Sequence, residues 1–178
     1  MRRYIAFLRG INVGGHHLIK MPWLVNLFSA IGLIDVKSYI ASGNILFSSE
    51  NEDMDALTAK IEEALLLSLE YPVTVMIRSQ EELQTLVASK PFRGHTTREN
   101  VKLYVTFLPK MTVPTLALPI VSVTEGYKII AASDREICSV SSLMPDGRYG
   151  SSIHFVEKQI TKTSTTRNWN TVLKVAKF

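Results

Sequence analysis

Apolar positions in the first eighty residues fall into two rhythms. Residues 3–9 are almost continuously apolar around Tyr4-Ile5-Ala6-Phe7-Leu8, which predicts a buried strand. Leu24, Leu27, Phe28 and Ile31 then recur at i, i+3, i+4, i+7, predicting a helix over 21–31 with Pro22 in its first turn and Gly32 past its end. Residues 36–41 and 45–48 read as strands, joined by Ser42-Gly43-Asn44, residue types that tolerate positive φ in a tight hairpin. Met54, Leu57, Ile61 and Leu65 mark a second helix over 53–69, with Ser49-x-x-Glu52 as a capping box slightly upstream. After Pro72, Val73, Val75 and Ile77 alternate with Thr74, Met76 and Arg78 in a further strand. The order β-α-β-β-α-β is the ferredoxin-like one, an antiparallel sheet with both helices on one face.

The second half is less regular. Ser79-x-x-Glu82 is a capping box for a helix carrying Leu83, Leu86 and Val87 inward. Val101, Leu103, Val105 and Phe107 alternate along a strand. Pro109 to Pro119 reads as a proline-studded surface connection, followed by strands over 120–124, 127–133 and 137–141. A helix over 151–159 comes next, and a last one starts at Thr165 or Thr166, either of which can cap it. The expected fold class is α+β: a ferredoxin-like module over 1–78, then a second, less regular α+β half over 79–178. That half is either a degenerate duplication or a second layer packed on the first. Its terminal helix, 166–177, is expected to return to the N-terminal glycine loop.

Hydrophobic residues make up 46% of the 178-residue chain and charged ones 20%, enough for a real core in a soluble protein. The net charge of +4 is a mild excess, so the placement of the cations matters more than their sum. Cys138 stands alone, which rules out an internal disulfide and a cysteine-rich metal cluster and fits a reducing compartment. Arg9 interrupts the first apolar run too early for a signal peptide, and no run approaches the ~20 apolar residues of a membrane span. The chain reads as cytoplasmic, with no membrane partner.

Two polar segments stand out. Arg9-Gly10-Ile11-Asn12-Val13-Gly14-Gly15 leads from the first strand towards Lys20 and the first helix. Gly10 and Gly15 have P-loop spacing, but His16-His17 replaces the Lys-Ser/Thr that such a loop requires. Successive glycines still let backbone N–H groups converge on an anion, although a tight connection explains them equally. The second segment, Lys162 to Thr171, gathers hydroxyls, Thr166, Arg167, Asn168 and Asn170 at an expected helix start, where free N–H groups favour negative charge. Ser42 and Asn44 belong to the same candidate site, though a hairpin turn accounts for them. His16, His17, His95 and His154 have no metal-ligand spacing, and no nucleophile elbow, HExxH or CxxC occurs. Neither a metal nor a cofactor is expected.

The segments Leu8-Arg9-Gly10-Ile11-Asn12-Val13-Gly14-Gly15, Tyr39-Ile40-x-Ser42-Gly43-Asn44 and Thr166-Arg167-Asn168-Trp169-Asn170-Thr171-Val172 resemble the signature of a bacterial family known as domain of unknown function 1697. The resemblance spans the chain. It implies a bacterial cytoplasmic protein related to duplicated ferredoxin-like modules, and it brings no activity, cofactor or catalytic residue.

Three functions compete. The first is a binding module for a phosphate-bearing or other anionic ligand, a small molecule or nucleotide, held by Arg9, Asn12, Gly14, Gly15, Lys20, Ser42, Asn44, Thr166, Arg167, Asn168 and Asn170. Nucleic acid is the less supported partner, because no RNP1-type aromatic platform is present. The second is a metal-independent enzyme on a small anionic substrate, with the arginines clamping the anion. The third is structural, with the polar residues tying elements together and an apolar face used for self-association into a homo-oligomer.

Overall fold

The computed structural model describes residues 1–13, 18–109 and 115–178. Gly14, Gly15, His16 and His17, and the middle of the proline-studded connection, lie outside them. The chain divides into two compact units, Met1–Gln84 with Val175–Phe178, and Thr85–Lys174.

The first unit runs β1 (Arg2–Leu8), α1 (Met21–Ala30), β2 (Ile34–Tyr39), β3 (Asn44–Ser49), α2 (Met54–Leu69) and β4 (Val75–Ser79). This is the order expected from the sequence. The strands form one antiparallel sheet in the order β2-β3-β1-β4. Alternate strand residues Tyr4, Ala6, Leu8, Ile45, Phe47, Val75 and Ile77 pack with Leu24 and Phe28 of α1 and Leu57, Ile61 and Leu65 of α2. Both helices therefore cover the same face. The other face is buried as well, since Ile5, Phe7, Met76 and Arg78 are each at most 2% exposed. Edge strand β2 is mostly exposed, and its pairing slips between Ile34 and Lys37, an irregularity that discourages pairing with another chain.

Local chemistry sets the helix starts. Asp53 caps α2, its Oδ1 accepting from Asp55 N at 2.9 Å and Ala56 N at 3.1 Å. Ser49 accepts from Asn51 N at 3.0 Å instead, so the expected Ser49–Glu52 box is corrected to a cap by Asp53. Asp53 directly precedes the helix and reaches its free N–H groups, which Ser49 cannot. The other box forms as read. Glu82 N donates to Ser79 Oγ at 3.1 Å and Ser79 N donates to Glu82 Oε2 at 2.7 Å, opening α3 (Gln80–Ala88). Gln80 and Gln84 of α3 donate their side-chain amides to the carbonyls of Phe178 and Ala176, within the same unit.

The second unit holds β5 (Val101–Phe107), β6 (Ile120–Ser122), β7 (Tyr127–Ala132), β8 (Glu136–Ser142), α4 (Ile153–Gln159), β9 (Thr165–Asn168) and most of α5 (Trp169–Val175). Its antiparallel sheet has the order β6-β7-β8-β5-β9, unlike that of the first unit. The expected helix start at Thr165 or Thr166 is corrected: residues 165–168 form β9, paired with β5, and α5 begins at Trp169. Consecutive β-branched threonines suit a strand beside β5 better than a helical turn.

One face of this sheet changes character along its length. Ile129 and Ile137 pack beneath Val156 of α4, with Leu108 and Tyr127. Further along the same face, the residues are Ser139, Ser141, Tyr104, Thr106 and Thr166. The opposite face carries Leu103, Val105, Phe107, Cys138 and Val140, all buried.

Candidate functional site

The polar residues singled out in the sequence fall in both units. In the first, the end of β1 is held on two sides. Leu8 N donates to Gly43 O at 2.9 Å and Arg9 N donates to Thr74 O at 2.9 Å. Ile11 is buried against Gly43, where a Cβ would stand 2.7 Å from Ile11 Cδ1. Gly43 also has φ +74°, so contact and backbone both require glycine.

Asn12 follows in the left-handed region, φ 54°, which asparagine tolerates. Its side chain is committed to backbone: Nδ2 donates to Ala41 O at 2.7 Å and to Ile19 O at 3.0 Å, and Oδ1 accepts from Ile19 N at 2.7 Å. Asn12 thus closes the loop over residues 12–19 and ties it to the turn after β2. Arg9 and Lys20 lie just outside that closure, and both are exposed. Gly14 and Gly15 lie outside the described residues. Asn44 is fully buried and donates to Tyr39 O at 2.9 Å and Ser42 Oγ at 3.0 Å, holding the turn.

In the second unit, β9 presents its residues alternately. Thr165 and Arg167 are buried on one side, where Arg167 Nη1 donates to Thr165 Oγ1 at 2.7 Å and to Thr166 O at 2.9 Å. Burial pushes the Arg167 guanidinium down to about 10, so it stays charged at neutral pH. Thr166 faces the other side, its hydroxyl 2.9 Å from that of Thr106. Asn168 caps α5 by accepting from Asn170 N at 2.9 Å. Lys162 and Asn170 are exposed, and Trp169 packs on Phe92 with ring centroids 5.0 Å apart.

Sequence reasoning missed two features. Arg78, read as one of the residues alternating with Val75 and Ile77, is 1% exposed on β4, its Nη1 donating to Ile77 O at 2.8 Å. The other is a cavity of about 220 Å³ in the second unit, bounded by Tyr104, Ser139, Ser141, Tyr149, Ser152 and Thr166 among others. The signal for it was serine at alternate positions of a central strand, Ser139 and Ser141 alternating with Cys138 and Val140. Burial pushes the Cys138 thiol up to about 12, with Glu136 adding to the rise, so it is no nucleophile at neutral pH. Among the described residues, no group of three or more His, Cys, Asp or Glu could hold a metal, and no helix is long and apolar enough to cross a membrane.

A family model described as protein of unknown function (DUF1697) matches residues 1–137. No curated protein matches the chain. Among solved structures, a conserved bacterial protein from Streptococcus pneumoniae, SP0830, is similar with a TM-score of 0.68 at 19% identity, over 99% of this chain and 97% of that one. At that identity the likeness extends to the fold alone.

Proposed function

Because the chain belongs to the DUF1697 family, described only as being of unknown function, we propose a function from the geometry of the first unit: a binding module for a small anionic, phosphate-bearing ligand. The observation that carries it is the Asn12 clamp. Two hydrogen bonds to Ile19 and one to Ala41 close the loop over residues 12–19 on a rigid sheet end. Loops whose ends are fixed on a sheet often carry binding residues. Exposed cations Arg9 and Lys20 flank this closure. The amides of Asn12 and Asn44 are spent on internal bonds, so they position the loop and turn, and recognition falls to the cations. Arg9 supplies a planar fork suited to phosphate or carboxylate, and Lys20 a point charge.

The test is isothermal titration of the full chain with inorganic phosphate, pyrophosphate and a nucleoside monophosphate at two salt concentrations. Saturable binding that weakens at higher salt is expected. The double variant Arg9→Ala/Lys20→Ala should weaken it by roughly tenfold or more. Binding unaffected by the double variant, or no binding by any of the three, overturns the reading.

A further inference from the structure

The cavity in the second unit has an unusual wall. Apart from Gly150, all its bounding residues carry a hydroxyl: Tyr104, Ser139, Ser141, Tyr149, Ser151, Ser152 and Thr166. Among the described residues, no charged side chain bounds it. Most of these hydroxyls already have a protein partner. Ser152 donates to Ser139 at 3.1 Å, Thr166 meets Thr106 at 2.9 Å, and Tyr149 donates to the Glu99 carbonyl. The Asn168 side chain hydrogen-bonds the Tyr104 phenol.

Ser141 is the exception. It is 1% exposed, and its Oγ has no hydrogen-bond partner among the described residues. A buried hydroxyl without a partner is unfavourable and uncommon, and a group in the cavity would satisfy it. The space is several times the ~30 Å³ share of one water molecule, large enough for a small organic molecule.

We propose that this cavity is a binding site for a small neutral polyol, a cyclic polyol or monosaccharide. Each wall hydroxyl can donate and accept, so adjacent ligand hydroxyls can join continuous donor–acceptor chains with Ser139, Ser141 and Thr166. The rings of Tyr104 and Tyr149 offer apolar surface to the C–H faces of such a molecule. An anion would find no opposing charge among the described residues of the wall. The nearby cation, Lys102, lies 5.2 Å from the centroid of the Tyr149 ring. This site is separate from the anion site of the first unit and stands or falls without it.

The experiment follows backbone amide resonances of the isotope-labelled full chain during titration with myo-inositol, glucose and ribose, with inorganic phosphate as the anionic control. Saturable shifts of Ser139, Ser141, Ser152 and Thr166 with at least one polyol are expected, undisturbed by added phosphate. Ser141→Ala should weaken that polyol by roughly tenfold, the effect of one buried hydrogen bond, without lowering the melting temperature, because the lost hydroxyl has no partner among the described residues. The proposal is overturned if no polyol perturbs these amides, which would mean water alone fills the cavity. It is equally overturned if phosphate displaces the polyol, or if Ser141→Ala binds as tightly as the parent.

Discussion

Asn12 and Ile19 hold each other at both ends of one side chain: Ile19 N donates to Asn12 Oδ1 at 2.7 Å, and Asn12 Nδ2 donates to Ile19 O at 3.0 Å. The same Nδ2 reaches Ala41 O at 2.7 Å, so a single amide joins the loop over residues 12–19 to the turn after β2. Asn12→Ala removes all three bonds and places alanine at φ 54°. A loss of about 2 to 3 kcal/mol is expected, since each bond contributes on the order of 1 kcal/mol and the backbone is strained for alanine. Asn12→Asp should be no better, because a carboxylate keeps the acceptor for Ile19 N but faces two carbonyl oxygens with no donor. Urea unfolding midpoints decide it: an aspartate variant as stable as the parent would show that the clamp is not what holds the loop.

Gly43 and Ile11 are similarly bound together. A Cβ on Gly43 would lie 2.7 Å from Ile11 Cδ1, 2.9 Å from Cγ1 and 3.0 Å from Leu8 Cβ, at φ +74°. Gly43→Ala should destabilise by about 2 kcal/mol or more through contact and strain together. Ile11→Ala removes both offending carbons while emptying a buried site. In the double variant the costs should fall short of additive by on the order of 1 kcal/mol, as contacting residues do. Additive costs in a thermal or urea double-mutant cycle would place the strain in the backbone rather than in the contact.

These two positions show where sequence reading works and where it stops. Helices α1 and α2 and the Ser79–Glu82 box were legible because their signals lie within one turn of chain: a 3.6-residue stripe, Pro22, a reciprocal cap. The end of the chain was misread because Thr165-Thr166-Arg167-Asn168 is decided by a distant partner. Pairing of Thr166 with Thr106 and of Asn168 with Tyr104 makes it a strand, and nothing local announces β5. The glycine loop and the hairpin turn were found, but a polar residue in a loop looks the same whether it awaits a ligand or clamps the backbone, as Asn12 does. The hydroxyl cavity escaped notice for a related reason. Serines at alternate positions resemble a solvent-facing side, whereas β8 lies between β7 and β5, and Ser139 and Ser141 are each 1% exposed.

Arg167 tests the same distinction in the second unit. It is buried, and one nitrogen donates to both Thr165 Oγ1 at 2.7 Å and Thr166 O at 2.9 Å. Arg167→Ala empties that space and removes two charge-assisted bonds, so a loss of about 3 kcal/mol is expected. Arg167→Lys should recover only part of it, because a flexible ammonium replaces a planar, pre-organised fork. Calorimetric melting of the three proteins provides the check. An alanine variant that melts with the parent would mean that the guanidinium contributes nothing to the fold.

Alkaline stability turns on Cys138. The thiol is 2% exposed, and burial, with Glu136 beside it, pushes it up to about 12, whereas an unfolded chain's cysteine titrates near ~8.5. Between those values the folded state keeps a proton that the unfolded state has lost. Stability therefore falls as pH rises through this window, and is fully present below it. The slope from one such group approaches about 1.4 kcal/mol per pH unit. Tyr4, Tyr104 and Tyr127, raised mainly by burial, add to the decline as pH approaches about 10, the midpoint of an unfolded tyrosine. The difference between the parent and Cys138→Ala in urea unfolding from about pH 8 to 10 isolates the cysteine, because Arg167 and the tyrosines titrate alike in both. Cys138→Ala should be less stable at pH 7 through lost packing, yet decline more gently across that range. Parallel curves for the two proteins would show that the thiol ionises as readily in the folded chain as in the unfolded one.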